Sequence, residues 1–258
     1  MYFTRFPINK TRHETRRLLS SPYMLHAAIA GSFPPGSCES ADESAGRVLW
    51  RIDTLEAGKD FLYIVSPEEP SLVGLDEQIG WPDKPAQWES RDYEPFLKQI
   101  AKGQEYSFRL VANPVLSRKG IENEQGHTKR IGHLTVLQQA AWLIGKSAYS
   151  GTQTVAPELF ERQEQSRAER NGFIIPVDPN TGIAKLIVSN SRKLTFKKGK
   201  SGKSITLVMA RYDGVLQVTD AGKLCSALSC GIGHAKGFGC GLLTLASLRS
   251  KHEEHAGD

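Results

Sequence analysis

Apolar and polar residues alternate from Tyr2 to Ile8, the period of a strand with one buried face, and Pro7 and Asn9 mark its end as an edge strand. Between Arg12 and Ala30 the spacing changes: Leu18, Leu19, Leu25, Ala28 and Ile29 recur at near-helical intervals. Ser21-Pro22 interrupts this run, which predicts a second helix with Ser21 as N-cap and Pro22 in the first helical position. Ser37 to Gly46 is small, polar and acidic, and reads as an exposed loop. Strands are predicted at Arg47 to Asp53 and Phe61 to Val65. A helix over Asp92 to Ala101 would place Tyr93, Phe96, Leu97 and Ile100 on one face, and another strand follows at Tyr106 to Ala112.

Strand, helix, strand, strand, helix, strand is the ferredoxin-like order. The pattern recurs less cleanly after a basic, polar linker. Leu134 to Tyr149 is an amphipathic helix, and strands are predicted at Ile183 to Ser189, Arg192 to Phe196, Ser204 to Tyr212 and Val215 to Val218. Asp220 caps a helix that ends near Ser229, and Leu242 to Leu248 is a final strand. The expected fold class is therefore α+β, two tandem ferredoxin-like (βαββαβ) modules. They divide as 1–117, a basic linker 118–132, and 133–258, with the first strand of the second module unplaced.

Composition narrows the class of protein. No apolar run approaches the roughly 20 residues that span a bilayer, and the first residues lack the order of a secretory signal. Cys38, Cys225, Cys230 and Cys240 are irregularly spaced. They suit free thiols in a reducing cytoplasm better than disulfides or a zinc site with His234. The formal charge of +5 is modest, so its distribution matters more than its size.

That distribution singles out one segment. Arg192, Lys193, Lys197, Lys198, Lys200, Lys203 and Arg211 run without an intervening carboxylate, and their glycine-broken centre sits between two strand patterns. A hairpin tip of this kind suits a phosphate backbone, because each contact releases counterions. Arg118, Lys119, Lys129 and Arg130 make the linker basic too. Tyr23 and His26 are three apart on a predicted helix, so both side chains can reach one substrate atom. A histidine moves protons near neutral pH, and a tyrosine hydroxyl can orient a ribose or phosphate oxygen. Taken alone, the pair is better explained as a surface histidine beside a core tyrosine.

Between Gly231 and Gly241 lie five glycines, together with His234, Lys236 and Cys240. The run fails a dinucleotide fingerprint, because Lys236 stands where glycine is needed and a helix precedes while a strand follows. A tight helix-to-strand crossing explains it without a ligand.

In this order and at these separations the segments resemble the CasE-type CRISPR repeat-RNA endoribonucleases, the processing subunit of type I-E Cascade. The residues concerned are Met1-Tyr2-Phe3, Tyr23-Met24-Leu25-His26, Phe108 to Pro114, Gln139 to Leu143, Gly199 to Lys203, Gly214-Val215-Leu216, and the glycine loop running into Gly241 to Ala246. The resemblance implies modules of the RAMP type, no cofactor and no metal. It implies cleavage of precursor CRISPR RNA at the base of the repeat stem-loop, giving mature guide RNA. His26 would be the general acid or base, with Tyr23 assisting. Stem shape and phosphates would be bound by the two basic segments and Lys236. The partners implied are the stem-loop RNA and the other Cascade subunits in a prokaryotic cytoplasm. His234 departs from the family, standing where a non-titrating residue such as proline is expected; it is a tolerated loop residue or a second proton donor. Two other readings share parts of this evidence: a non-catalytic RNA-binding subunit, and a nucleotide-dependent enzyme that uses the glycine loop.

Overall fold

The computed structural model describes residues 1–35, 46–55, 58–85, 87–122, 128–145, 165–199, 202 and 204–248, with only the backbone course described at 117–122 and 128–130. The fold is mixed α+β. Its first sheet has the order β2-β3-β1-β4, with β1 at Tyr2–Ile8, β2 at Leu49–Thr54, β3 at Asp60–Ser66 and β4 at Glu89–Asp92. All neighbours in it are antiparallel. Helices α1 (His13–Leu19) and α2 (Pro22–Ala30) connect β1 to β2, and α3 (Val73–Ile79) connects β3 to β4. Alternation in β1 buries Thr4, Phe6 and Ile8. Phe6 and Ile8 join Leu25 and Ile29 of α2, Trp50, Leu62 and Ile64 in one apolar cluster.

Two expectations change here. β1 is an interior strand, not an edge; it tolerates Pro7 because β4 pairs only as far as Arg5 opposite Glu89 and leaves the proline one neighbour. The expected helix over Asp92 to Ala101 shrinks to α4 (Glu94–Leu97), and α3 supplies the crossover. The Ser21 and Pro22 assignments hold, since Ser21 is extended and Pro22 opens α2.

The second sheet has the order β11-β5-β10-β8, and β9 also pairs β10. Here β5 is Glu105–Ala112, β8 is Phe173–Ile174, β9 is Leu186–Lys197, β10 is Ser204–Val218 and β11 is Leu243–Ser247. The strand over Tyr106 to Ala112, expected to close the first sheet, is β5 of the second, hydrogen-bonded between β11 and β10. It is also the missing first strand of the second half. The predicted linker is instead a two-stranded hairpin, β6 (Val115–Glu122) and β7 (Thr128–Gly132). The four strands predicted between 183 and 218 merge into the long pair β9 and β10. That pair bends at Asn190, which has φ of 49°, and at a register shift between Met209 and Arg211.

Helix α5 (Val136–Ile144) opens on a capping box formed by Thr135 and Gln138, followed later by α6 (Arg167–Arg170). The expected end of α5 near Tyr149 lies outside the described residues. Asp220 caps α7 (Ala221–Cys230) by accepting from the Lys223 N–H at 3.0 Å. Of the cysteines, Cys225 and Cys240 are free thiols, while Cys38 lies outside the described residues. Among the described residues no helix is long and apolar enough to cross a membrane.

The two sheets meet through a buried guanidinium. Arg51 on β2 is 2 % exposed and uses all five of its N–H donors. Its Nε and one terminal nitrogen donate to the two Asp53 carboxylate oxygens, each at 2.8 Å. The other nitrogen donates to the carbonyls of Arg109 (3.0 Å) and Leu242 (2.9 Å), and the Thr244 hydroxyl accepts at 2.9 Å. Arg109 extends the network, lying 3.5 Å from Asp53 and 2.5 Å from Asp213, and Arg211 completes it 2.6 Å from Asp213.

Removing one member of such a buried set strands the rest. Arg51→Met is expected to lower unfolding stability by about 3–5 kcal/mol, because Asp53 and two carbonyls lose their donors. A chemical-denaturation midpoint that scarcely moves would show that the sheets are held together by other contacts.

Candidate functional site

Helix α2 packs between the start of β2, the glycine loop and the hairpin of β9 and β10. Leu25 and Ile29 face the core, which leaves Tyr23 and His26 on the side turned to the loop and hairpin. Tyr23 joins a small cluster with Phe196, Leu207, Met209, Cys240 and Phe238. The His26 imidazole lies against Gly237, where an added methyl group would sit 3.4 Å from Nε2. Its Nδ1 is buried and has no hydrogen-bond partner among the described residues. Burial, and secondarily the positive charge of Arg47, hold its pKa below the usual histidine range. The ring is therefore neutral at pH 7 and able to accept a proton.

The glycine loop is built around rings. Gly233 lies on Trp142, Gly237 on His26, and Gly239 on Trp50; a larger residue would press on the ring at the first and clash with it at the last. Its base is closed by the Ile232 N–H donating to the Gly241 carbonyl (2.9 Å) and the Gly241 N–H to the Val111 carbonyl (2.7 Å). Within it Lys236–Phe238 forms one 3-10 turn after Ala235, whose φ is 61°. As expected, a helix precedes the loop and a strand follows it, so it presents no nucleotide-binding helix N-terminus.

The hairpin separates the basic residues into two sets. Arg192, Leu194 and Phe196 share a face with Met209, Leu207 and Ile205, the face against Tyr23 and the loop. Arg192 lies close enough to Cys240 to temper the rise in that thiol's pKa, which burial pushes up to about 12. Lys193 and Lys197 point the other way, with Thr195 bonded to Thr206 between them. Gly132, the last residue of β7, packs on Val208 opposite Lys193, so the second basic segment ends on this lysine face. Arg118, Lys119, Lys129 and Arg130 lie on β6 and β7, and nothing further is described of their side chains. Lys198 is exposed at the tip, and Lys200 and Lys203 lie outside the described residues. Arg211 does not belong with them: it is paired with Asp213 in the network between the sheets. His234 is exposed at the loop surface, and Lys236 folds its stem along Gly241.

Sequence reasoning missed three contributors. Trp50 and Trp142 were legible only as apolar residues, yet they form the surface on which the loop is laid. Arg47, directly before β2, acts on His26 through space, and no local motif marks it. A separate cavity of about 510 Å³ between the sheets is lined by Phe3, Tyr63, Arg51, Asp53, Arg109 and Asp213, whose charges pair with one another.

The ring packing makes a differential prediction. A methyl at Gly239 would lie 2.8 Å from the Trp50 ring at a φ of +80°, whereas one at Gly237 makes ordinary contact with His26. Gly239→Ala should cost about 1–3 kcal/mol and Gly237→Ala less than about 1 kcal/mol. Equal melting temperatures for the two variants would contradict this packing.

A family model described as "CRISPR associated protein" matches residues 1–247. The CRISPR-associated endoribonuclease Cse3 of Thermus thermophilus is 25% identical over 253 residues, covering 95% of this chain and 100% of that protein. The CRISPR system Cascade subunit CasE of Escherichia coli K12 is 28% identical over 155 residues, covering 58% of this chain and 62% of that one. A solved structure of the endoribonuclease Cse3 bound to a 19-nucleotide RNA superposes with a TM-score of 0.70 at 23% identity, covering 95% of this chain and 100% of the other. The chain therefore belongs to the CRISPR-associated protein family, and along nearly its whole length it is similar to the Cse3/CasE endoribonucleases.

Proposed function

We propose that the protein is a metal-independent endoribonuclease that binds the stem-loop of CRISPR repeat RNA and cuts precursor CRISPR RNA at the base of the stem. The observation that carries this reading is the half-buried, neutral imidazole of His26, on one helix with Tyr23 and beside a basic hairpin. The topology supports a pair of ferredoxin-like modules: the first half runs strand, helix, strand, strand, helix, strand with the first and third strands central, and the second half follows the same order when β8 and β9, which both pair with β10, are counted as one strand. On this reading the first module ends near residue 104, β5 opens the second, and β6 and β7 are an insertion within it.

The chemistry asks little of the protein beyond alignment and proton transfer. The ribose 2′-oxygen bonds to the adjacent phosphorus and gives up its proton, and the bond from phosphorus to the 5′-oxygen breaks as that oxygen gains a proton. The products are a 2′,3′-cyclic phosphate and a 5′-hydroxyl. A neutral His26 is suited to take the first proton, and Tyr23 to orient the ribose or phosphate. Arg192 and Lys236 lie on the His26 side, and Lys193, Lys197, Lys198 and the β6–β7 hairpin on the other, so the long hairpin can stand between the stem and the cut. A-form stems hide their base edges in a deep groove, which favours recognition by shape and phosphate. Similarity to a Cascade subunit supports the other subunits of that complex as partners.

A single-turnover assay on a repeat stem-loop in EDTA tests the reading. His26→Ala should abolish cleavage while binding persists, and a 2′-deoxy substitution at the cut should block it. Binding without cleavage by the unmodified protein would favour a non-catalytic RNA-binding subunit. His234→Ala measured alongside decides whether His234 donates the second proton: a slowed rate assigns it that role, an unchanged one makes it a tolerated loop residue.

The depressed pKa has a signed consequence. As base, His26 must be neutral, so the acid limb of kcat/KM should be centred below the ordinary histidine value of about 6.5. An acid limb centred at or above the ordinary histidine value would contradict a desolvated imidazole acting as base.

A further inference from the structure

Arg47 stands at the rim where β2, α2 and the glycine loop converge. Its own N–H donates to the Ser229 carbonyl (3.1 Å), fixing it to the last turn of α7 just before the loop begins. The residues after it are wedged into the surroundings of α2. Val48 and Trp50 share a cluster with Leu25 and Ile29, Leu49 abuts Gly231, and the Trp50 ring supports Gly239. The main chain at Arg47 is therefore fixed beside the elements that surround His26, and the charge of Arg47 is felt by the imidazole. The residue is half-buried, yet among the described residues its guanidinium has neither a carboxylate nor a carbonyl partner. Other arginines near the core are paired: Arg51 with Asp53, Arg109 with Asp53 and Asp213, and Arg211 with Asp213.

A half-buried cation left without a counter-charge beside a titratable group calls for an anion from outside. The other charged groups on elements around α2 are Lys236 in the loop, Arg192 and Lys193 on β9, and His13, Glu14, Arg16 and Arg17 on α1, where Arg17 is spent on Glu14. Among the described residues the carboxylates on these elements, Glu14, Asp53 and Asp213, are each already paired with an arginine, so none of them neutralises Arg47.

We propose that Arg47 is a further catalytic residue, which contacts a non-bridging oxygen of the scissile phosphate and stabilises the negative charge that grows there as the 2′-oxygen attacks. This rests on the endoribonuclease reading above. Arg47 exchanges no proton; its planar, permanently charged fork matches two phosphate oxygens, and the contact strengthens as phosphorus becomes five-coordinate.

Single-turnover cleavage of the repeat stem-loop at saturating protein tests it, with the unmodified protein and His26→Ala run in parallel. Arg47→Ala should slow the saturated rate about 100-fold. Its affinity for the 2′-deoxy RNA should change by less than about threefold, since one phosphate contact among many is lost. Arg47→Lys, which keeps the charge without the fork, should recover part of the rate. Removing the nearby charge should also move the acid limb of kcat/KM upward. Melting temperatures confirm that both variants fold, and among the described residues no side-chain bond is lost in either. A saturated Arg47→Ala rate within about twofold of the unmodified protein overturns the assignment, as does a defect that appears only in affinity. If the unmodified protein leaves the RNA intact, the nuclease reading fails and Arg47's role with it; if it cuts and Arg47→Ala cuts as fast, only the role of Arg47 fails.

Discussion

Five N–H groups on a single buried guanidinium set the relation between the two sheets. Arg51 belongs to β2, but three of its donors end on Arg109, Leu242 and Thr244 of the second half. Leu242 is the exit of the glycine loop, and Gly241 beside it is tied to β5 through Val111. The same side chain that closes the sheets on each other therefore fixes one end of the loop that forms the wall behind His26. Burying a charge is costly, and the cost is offset only because every donor finds an acceptor and Asp53 supplies the opposing charge. A lysine could not do this, having one nitrogen where five separate N–H directions are needed.

From that clamp the electrostatics of the site follow. The loop arrives over α2 with glycine where His26 lies, so the imidazole is covered without a hydrogen bond at Nδ1 from any of the described residues. Covering a titratable ring favours its neutral form, and a nearby guanidinium adds to the effect. The surrounding basic residues are not a single patch. Strand alternation sends Arg192 toward the site and Lys193 and Lys197 away from it, so one hairpin offers cations on both faces. An RNA that touches both faces has to straddle the hairpin, which is a constraint on its path that net charge alone does not convey.

Arg47, Trp50 and Trp142 show why part of the site was hidden in the sequence. None stands beside Tyr23 and His26 in the sequence, and each acts on residues far along the chain. The Tyr23 and His26 pair was visible because both lie within one helical turn, and the capping signals at Ser21-Pro22 and Asp220 were visible for the same reason. β5 was correctly seen as a strand and assigned to the wrong sheet, since its own alternation is the same whichever neighbours it pairs with. The basic run from Arg192 to Arg211 was seen as a unit, yet the bend in β10 turns Arg211 into the inter-sheet network, where Asp213 neutralises it.

By itself the sequence determined most of the strands and helices, the helix caps, the long basic hairpin and the placing of Tyr23 and His26 within one helical turn. Those depend on interactions among residues a few positions apart, and chain-wide likeness to one family supplied the expected role. Tertiary structure alone decided sheet membership, the two-faced split of the basic residues, the burial that keeps His26 neutral and the approach of Arg47. Each of these is a contact between segments remote in the chain, as Arg51 and Leu242 are at 191 positions apart. Such contacts arise when buried donors, acceptors and rings must all be accommodated at once, a condition that no local pattern of residues records.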